Sequence, residues 1–258
     1  MGISLSTARW LAPASFIVDF AAQNYGMLSK PNMKDVHDAN LSFFSPQPYF
    51  IAGFFFPQQL FQLAWLWNLC RAKSTSAGVD KDVATMVGFA PFYAVGNICI
   101  ATWMIFWNQS QLKTSNVFVV INSLSQLFYI STQLPTMDLG SRTSVLTHIV
   151  SKTFAGIGVL DLLHNGSVAY FNHQGPSILV KALTGIGFGA LAAYSDWIFG
   201  GCLVYDLIAL GVGQRSYGNT SWGNLLFAYA GGAAAIVAAK NITWPPYTRQ
   251  ARGYEALH

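Results

Sequence analysis

The stretch SILVKALTGIGFGALAAYSDWIFGGCLVYDLIALGVG, residues 177–213, decides the fold. Its 37 residues carry three charged side chains, Lys181, Asp196 and Asp206. A helix that crosses a bilayer needs roughly 20 mostly apolar residues. The stretch is long enough for two such helices with a tight turn near Tyr194–Asp196, or for one long tilted helix.

Similar apolar runs lie on both sides of it. Ala8–Tyr25, Tyr49–Cys70, Val83–Trp107, Asn116–Leu134 and Leu146–Phe171 precede it, and Trp222–Ile242 comes after it. The expectation is an all-α integral membrane protein, a polytopic bundle of about eight transmembrane helices, with seven as the alternative. Composition agrees. Hydrophobic residues make up 53% of the chain and charged residues 9%, against about 25% charged in soluble domains. The single glutamate is Glu255. No second composition regime appears, so residues 1–258 read as one transmembrane domain. It has a long loop at about 26–48, which holds His37, Asp38, Pro31, Pro46 and Pro48, and a cytosolic tail at about 243–258.

The net charge of +4 does not indicate nucleic acid. The basic residues are scattered between apolar runs, whereas a nucleic-acid footprint is a patch or stripe. They read as interfacial anchors and topology determinants. With eight helices, Arg9, Arg71, Lys73, Lys81, Arg142, Lys240, Arg249 and Arg252 collect on one side. Lys30, Lys34, Lys113 and Arg215 collect on the other, so both termini are expected in the cytosol. Sequons at Asn40, Asn108 and Asn219 fall on the opposite, luminal side, which suits the endoplasmic reticulum or another endomembrane. The first apolar run lacks a basic lead-in and reads as a retained helix. The start Met1-Gly2-Ile3-Ser4-Leu5-Ser6 fits a myristoylation pattern, but a helix beginning a few residues later makes a lipid anchor redundant. Cys70, Cys99 and Cys202 show no paired spacing and read as buried small hydrophobes.

Ionisable residues inside apolar runs are costly, about 2.5–3.5 kcal/mol each at helix centre on insertion scales, and mark functional sites. Asp19, Asp161, Asp196 and Asp206 are such residues. A carboxyl that stays protonated at neutral pH can act as an acid. Asp161, His164 and Asn165 have i, i+3, i+4 spacing and share one helix face. They read either as an acid–base pair facing a cavity or as an interhelical clasp. Asp206 comes after Tyr205 in mid-run, and Asp19 forms a polar stripe with Gln23 and Asn24. Asp196 reads as a helix cap. Gln58 and Gln59 lie beside Pro57 and are candidates for a cavity wall. Asn97, Asn122 and Gln126 read as polar links between helices. Trp10, Trp107, Trp222 and Trp244 read as interfacial belt residues. Trp65 and Trp103 lie deeper and are candidates to face a ligand, as ring faces stabilise positive charge. Gly185, Gly187, Gly189 and the run Gly231–Ala235 suit close helix contact.

Three segments carry a resemblance. Ser45-Pro46-Gln47-Pro48-Tyr49-Phe50-Ile51-Ala52-Gly53-Phe54-Phe55-Phe56 is a proline-containing loop leading into an aromatic helix. Gly96-Asn97-Ile98-Cys99-Ile100-Ala101-Thr102-Trp103-Met104-Ile105-Phe106-Trp107 places an Asn before a Trp-rich helix end. The segment from Asp196-Trp197 to Gly213-Gln214-Arg215 begins with Asp and ends in Gly before a basic residue. In order and spacing these resemble the tryptophan-rich membrane proteins related to the translocator protein and peripheral benzodiazepine receptor family. This chain has more spans, and Phe55–Gln59 stands where those proteins carry a Trp-containing stretch. The resemblance implies a bundle with an internal lipophilic pocket, and ligands of that group are tetrapyrroles and sterols.

No Walker loop, Rossmann glycine pattern, Gly-x-Ser-x-Gly elbow or His-Glu-x-x-His motif occurs, so no nucleotide, redox cofactor or metal is expected. Three functions fit these residues. The first is cofactor-independent, acid-initiated cyclisation or isomerisation of an isoprenoid-like molecule, as in a terpene cyclase. Asp161, Asp206 and Asp19 are its candidate acids, His164 its later base, and Asn165, Gln23, Asn24, Gln58, Gln59, Trp65, Trp103 and Tyr205 its substrate contacts. The second is a non-catalytic binder, carrier or sensor of a sterol or tetrapyrrole. The third is an accessory subunit of a membrane complex. The number of intramembrane carboxyls tips the reading toward the first.

Overall fold

The computed structural model describes residues 3–73 and 80–244 and the backbone of residues 247–248. Met1 and Gly2 of the acylation pattern, Arg249, Arg252 and Glu255 lie outside the described residues. Within them the chain forms nine helices. These are α1 (Leu5–Leu28), α2 (Met33–Ala39), α3 (Pro48–Arg71), α4 (Lys81–Asn108), α5 (Leu112–Thr132), α6 (Arg142–Tyr170), α7 (Ile178–Tyr194), α8 (Trp197–Ser216) and α9 (Thr220–Thr243). A minimal parallel pair joins β1 (Met137–Asp138) to β2 (Tyr247–Thr248).

Four helices, α4, α6, α8 and α9, are long and apolar enough to cross a membrane, which makes the chain compatible with a membrane protein. At 1.5 Å per residue the 24 residues of α1, α3 and α9 each extend about 36 Å. The 17 residues of α7 reach about 25 Å, short of a hydrocarbon core of about 30 Å.

Local chemistry sets the helix ends. Ser4, Asp80, Ser141 and Ser177 accept backbone N–H groups of the first turns of their helices. Asn32 and Asp35 form a reciprocal capping box at α2. The long 177–213 stretch divides at Ser195–Asp196, where the Asp196 carboxylate accepts the N–H groups of Ile198 and Phe199. The capping role expected for Asp196 is thus what its side chain performs, and it pairs with Lys152 as well. The short loop is further held because Lys240 and Asn241 of α9 both donate to the Ser195 carbonyl, at 2.9 and 3.1 Å.

The outer surface is apolar and the inner one mixed. Trp10 and Ile17 of α1, Phe56 and Trp67 of α3, Leu124 and Phe128 of α5, and Leu183 and Ile186 of α7 are exposed. Gln58, Gln62, Asn97, Asn122 and Gln126 are buried. A protein in water arranges the two the other way round. Polar links between helices occur as expected. Asn97 donates to Ser15 at 3.1 Å, and Gln126 donates to the Phe92 carbonyl at 2.8 Å.

Close approach occurs at Gly185, as expected, and at glycines not singled out from the sequence. A Cβ on Gly156 would collide with the Cys202 side chain, and one on Gly223 would lie 2.8 Å from the Gly211 carbonyl. Gly187, Gly189, Gly231 and Gly232 face open space among the described residues, while Gly185 meets Tyr229.

The 26–48 region is more ordered than an open loop. It contains α2, and residues 42–47 enter the bundle as non-helical chain. Ser42, Phe43, Phe44 and Ser45 are buried. The Gln47 N–H donates to the Ala209 carbonyl within α8 at 3.0 Å. Irregular backbone at such depth requires protein partners for its polar groups, and Gln214 supplies them. Its Nε2 donates to the carbonyls of Ser42 and Ser45 at 2.9 and 3.0 Å. Trp222 and Trp107, read from sequence as belt residues, are buried instead. Trp222 donates to the Phe43 carbonyl at 2.7 Å and Trp107 to the Met33 carbonyl at 3.0 Å. Trp10 and Trp244 are exposed at helix ends, as a belt requires.

Candidate functional site

Two of the candidate carboxyls lie on α6 and α8. These helices run side by side in the same direction, since Lys152 meets Asp196 and Gly156 meets Cys202. Continuing that register brings Asp161 opposite Asp206. Each lies about 14–15 Å along its helix from the end near α2. Asp206 is fully buried, and neither of its oxygens has a hydrogen-bond partner among the described residues.

Asp161 borders a cavity whose walls come from six helices. Gln23 enters from α1, Met33 from α2, Ile51 and Phe55 from α3. Cys99, Ile100 and Trp103 enter from α4, and Phe118, Val119 and Asn122 from α5. The cavity volume is about 40 Å³, above the 10–15 Å³ or so that admits one water. The lining is mostly apolar, with a few convergent polar groups, the usual character of a small-molecule site. Asn122, read from sequence as a helix link, reaches this wall, and its Oδ1 has no partner among the described residues.

Of the residues chosen from sequence, Asp161, Gln23 and Trp103 come together at the cavity. Trp103 donates its indole N–H to Asn165 Oδ1 at 2.7 Å, and Asn165 donates to the Asp161 carbonyl at 2.9 Å. Asn165 therefore fixes the Trp103 ring from behind the wall. Asp19 is buried on α1 and accepts from Gln23 at 3.4 Å, one turn behind the cavity.

The remaining candidates lie elsewhere. Asn24 donates to the Phe20 carbonyl of its own helix. Gln58 reaches Thr153 at 3.4 Å, and Gln59 is half-buried beside it on α3. Trp65 is wholly buried among Phe89 and Tyr93, with its N–H on Thr147. Tyr205 points away from Asp206, packs against Phe50 and Phe54, and donates to the Phe50 carbonyl at 2.7 Å.

His164 turns toward the α2 end. Its ring lies 5.1 Å from His37 and 5.8 Å from Trp107. His37 Nε2 is 3.0 Å from the Tyr217 hydroxyl, which donates to the Pro46 carbonyl. His37 lies outside the long helices, and burial pushes its imidazole down to about 4. Burial likewise raises Tyr217 to about 12, helped by the charge of Asp38. Both groups are therefore neutral near pH 7, and the bond that joins α2 to the end of α8 is an uncharged one.

Sequence reasoning missed the plug at 42–47, its tether Gln214 and the histidine pair. The paired serines and prolines between Ser42 and Pro48, and a glutamine beside Gly213 at a helix end, were the available signals. Comparison with protein-family models, with curated proteins and with solved structures finds no match, so the functional reading rests on geometry alone.

Proposed function

We propose that the chain is an integral membrane protein with eight spans and cytosolic termini, and that Asp161 starts a cyclisation or isomerisation of a lipophilic, isoprenoid-like substrate. The observation that carries this reading is a carboxyl facing an apolar, aromatic-walled cavity at mid-helix depth. Holding a bare carboxylate there is costly, so the neutral acid is the resting form. Its proton passes to an alkene carbon or an epoxide oxygen. The positive charge that results lies among Trp103, Phe55 and Phe118, whose ring faces are electron-rich. Loss of a proton from a neighbouring carbon back to the Asp161 carboxylate closes the cycle and restores the acid. His164 is turned toward His37 and is not needed as base.

The cavity is smaller than an isoprenoid chain, so entry requires wall side chains to swing aside. Met33, with its flexible thioether, is suited to do so.

The test uses purified protein in lipid nanodiscs with linear polyenes and their terminal epoxides, read by mass spectrometry. The wild type is expected to give a product of unchanged mass. Asp161→Asn is expected to lower turnover by about 100-fold or more while helicity is retained. Substrate that is taken up by the wild type and recovered unaltered sinks the catalytic reading. It would leave the binder, which is favoured by one observation: Asp161 is the one carboxyl among the described residues lining the cavity, with no histidine or lysine beside it. Co-purification with a second protein at constant stoichiometry would favour the accessory-subunit reading.

A further inference from the structure

We propose that the first half of α3, residues 48–57, is a lateral gate through which a lipophilic molecule passes from the bilayer into the cavity beside Asp161, with Tyr205 as its latch. The inference rests on the reading of that cavity as a site for a lipophilic substrate, and it adds the route of entry. Three observations carry it. The first is position. Ile51 and Phe55, one turn apart, are the α3 residues in the cavity wall. Tyr49, Ala52, Gly53 and Phe56 of the same segment are exposed on the outside. A single helix therefore stands between the cavity and the apolar outer surface, and Ala52 and Gly53 make its outward face thin.

The second observation is an uneven hold along α3. None of residues 48–57 is fully buried, whereas Gln58, Gln62, Trp65, Leu66 and Leu69 in the remainder of the helix are. That remainder is tied by polar bonds. Tyr93 donates to Gln62 at 2.6 Å, and Trp65 donates to Thr147 at 3.1 Å. Ahead of the segment, the Gln47 N–H is held by the Ala209 carbonyl. Between these anchors the segment extends about 15 Å. It meets the core through partly buried side chains, with Phe50 and Phe54 each 5.5 Å from the Tyr205 ring.

The third observation is a hinge with a latch. Pro57 has no N–H for the Gly53 carbonyl, so α3 lacks one backbone bond where its loose and held halves meet. At the loose end, the Tyr205 hydroxyl of α8 donates to the Phe50 carbonyl at 2.7 Å. Among the described residues it is the one hydrogen bond that another helix makes to this segment. Its release lets residues 48–57 tilt outward about Pro57 and draws Ile51 and Phe55 out of the wall. The tilted segment keeps its helical bonds, so it can move into hydrocarbon without baring further backbone groups. Tyr205, chosen from sequence as a substrate contact, then acts on entry and not on the reacting atoms.

The experiment needs no substrate, so its failure is separable from failure of the enzyme reading. Cys99 lies in the cavity wall on α4. With Cys70→Ser and Cys202→Ala it is the one thiol in the chain. Its labelling in lipid nanodiscs is timed by mass spectrometry with N-cyclohexylmaleimide, which dissolves in the bilayer, and with a sulfonated maleimide confined to water. The bilayer reagent is expected to label Cys99 and the water-confined one to lag behind it. Tyr205→Phe keeps the ring and removes the latch, and loss of one hydrogen bond predicts labelling about 5-fold faster. Pro57→Ala restores the missing N–H and predicts slower labelling. Failure of the bilayer reagent to label the protein, or faster labelling from water, overturns the proposal. An unchanged rate in either variant, once folded, does so too. The comparison of the two reagents decides the matter even if a variant fails to fold. Bilayer access without turnover would leave the gate and remove the chemistry, and turnover without bilayer access would do the reverse.

Discussion

At the scale of single residues, burial without a partner is the recurring theme. Asp206, Asn122 and His164 each keep at least one polar atom unpaired among the described residues of the interior. His37 is the residue whose environment makes a pH prediction. Burial holds its imidazole at about 4, against about 6.5 in an unfolded chain. The folded state thus binds fewer protons than the unfolded one. Stability from docking neutral His37 is fully present above pH 6.5 and is lost as pH falls through about 4. The loss is on the order of 3 kcal/mol at the acid end. The neighbouring charges are Lys34 and Asp38, which pair with each other, and Asp35 in the α2 capping box. Unfolding temperature measured between pH 7.5 and 4 should fall in the wild type and fall less steeply in His37→Gln. Parallel profiles for the two proteins would show that His37 is not the titrating group. Much at this scale was legible from residue type and spacing. Asp161 and Trp103 stood out as ionisable or aromatic groups inside apolar runs. The partners of Trp65 and Tyr205 were not legible, since helix rotation decides which face a side chain takes.

At the scale of elements, the non-helical segment 42–47 is the feature that most departs from a plain helix bundle. It lies against α8 so closely that a Cβ on Gly213 would sit 2.5 Å from the Ser45 carbonyl and 2.6 Å from the Gln47 nitrogen. Gln214 satisfies two of its carbonyls. Replacing Gln214 with Leu leaves the buried Ser45 carbonyl without a donor, at about 1–3 kcal/mol, while the Ser42 carbonyl keeps the Ser45 N–H at 3.1 Å. The expected outcome is faster hydrogen exchange across residues 42–47 and a lower unfolding temperature, with α9 exchange unchanged. An unaltered exchange pattern would mean that Trp222 and Tyr217 suffice to hold the plug. Sequence could mark this segment as a loop, because Pro46 and Pro48 interrupt helix. It could not show that the loop folds inward, since a loop's depth depends on distant polar partners, Ser167 on α6 and Gln214 on α8.

At the scale of the whole molecule, the proposed count of eight spans makes a topology prediction. Under the proposed eight-span arrangement the N-terminus, the α3–α4 connection and the α7–α8 turn share one side with the C-terminus. The α2 helix and the α8–α9 turn share the other. Single cysteines at Ser4, Lys73 and Thr243, in a background lacking Cys70, should react with a membrane-impermeant maleimide from the same side of sealed vesicles. A cysteine at Asp38 should react from the opposite side. Labelling of Ser4 and Thr243 from opposite sides would require an odd number of spans.

By itself the sequence determined the class of the molecule. Runs of about 20 apolar residues, few charges and capping side chains at their edges dictate helices, because backbone polar groups away from water must be satisfied within each segment. The break at Ser195–Asp196 was likewise readable, since a carboxylate before an apolar run caps a helix. Only the tertiary structure decided which polar residues meet. Asp161 and Asp206 are 45 positions apart, and their approach depends on the parallel packing of α6 and α8 at Gly156. The plug depends on Gln214, and the cavity wall draws on six helices. Helix formation is local, so composition and spacing reveal it. A site is a meeting of distant faces, and helix rotation and register are set by packing alone.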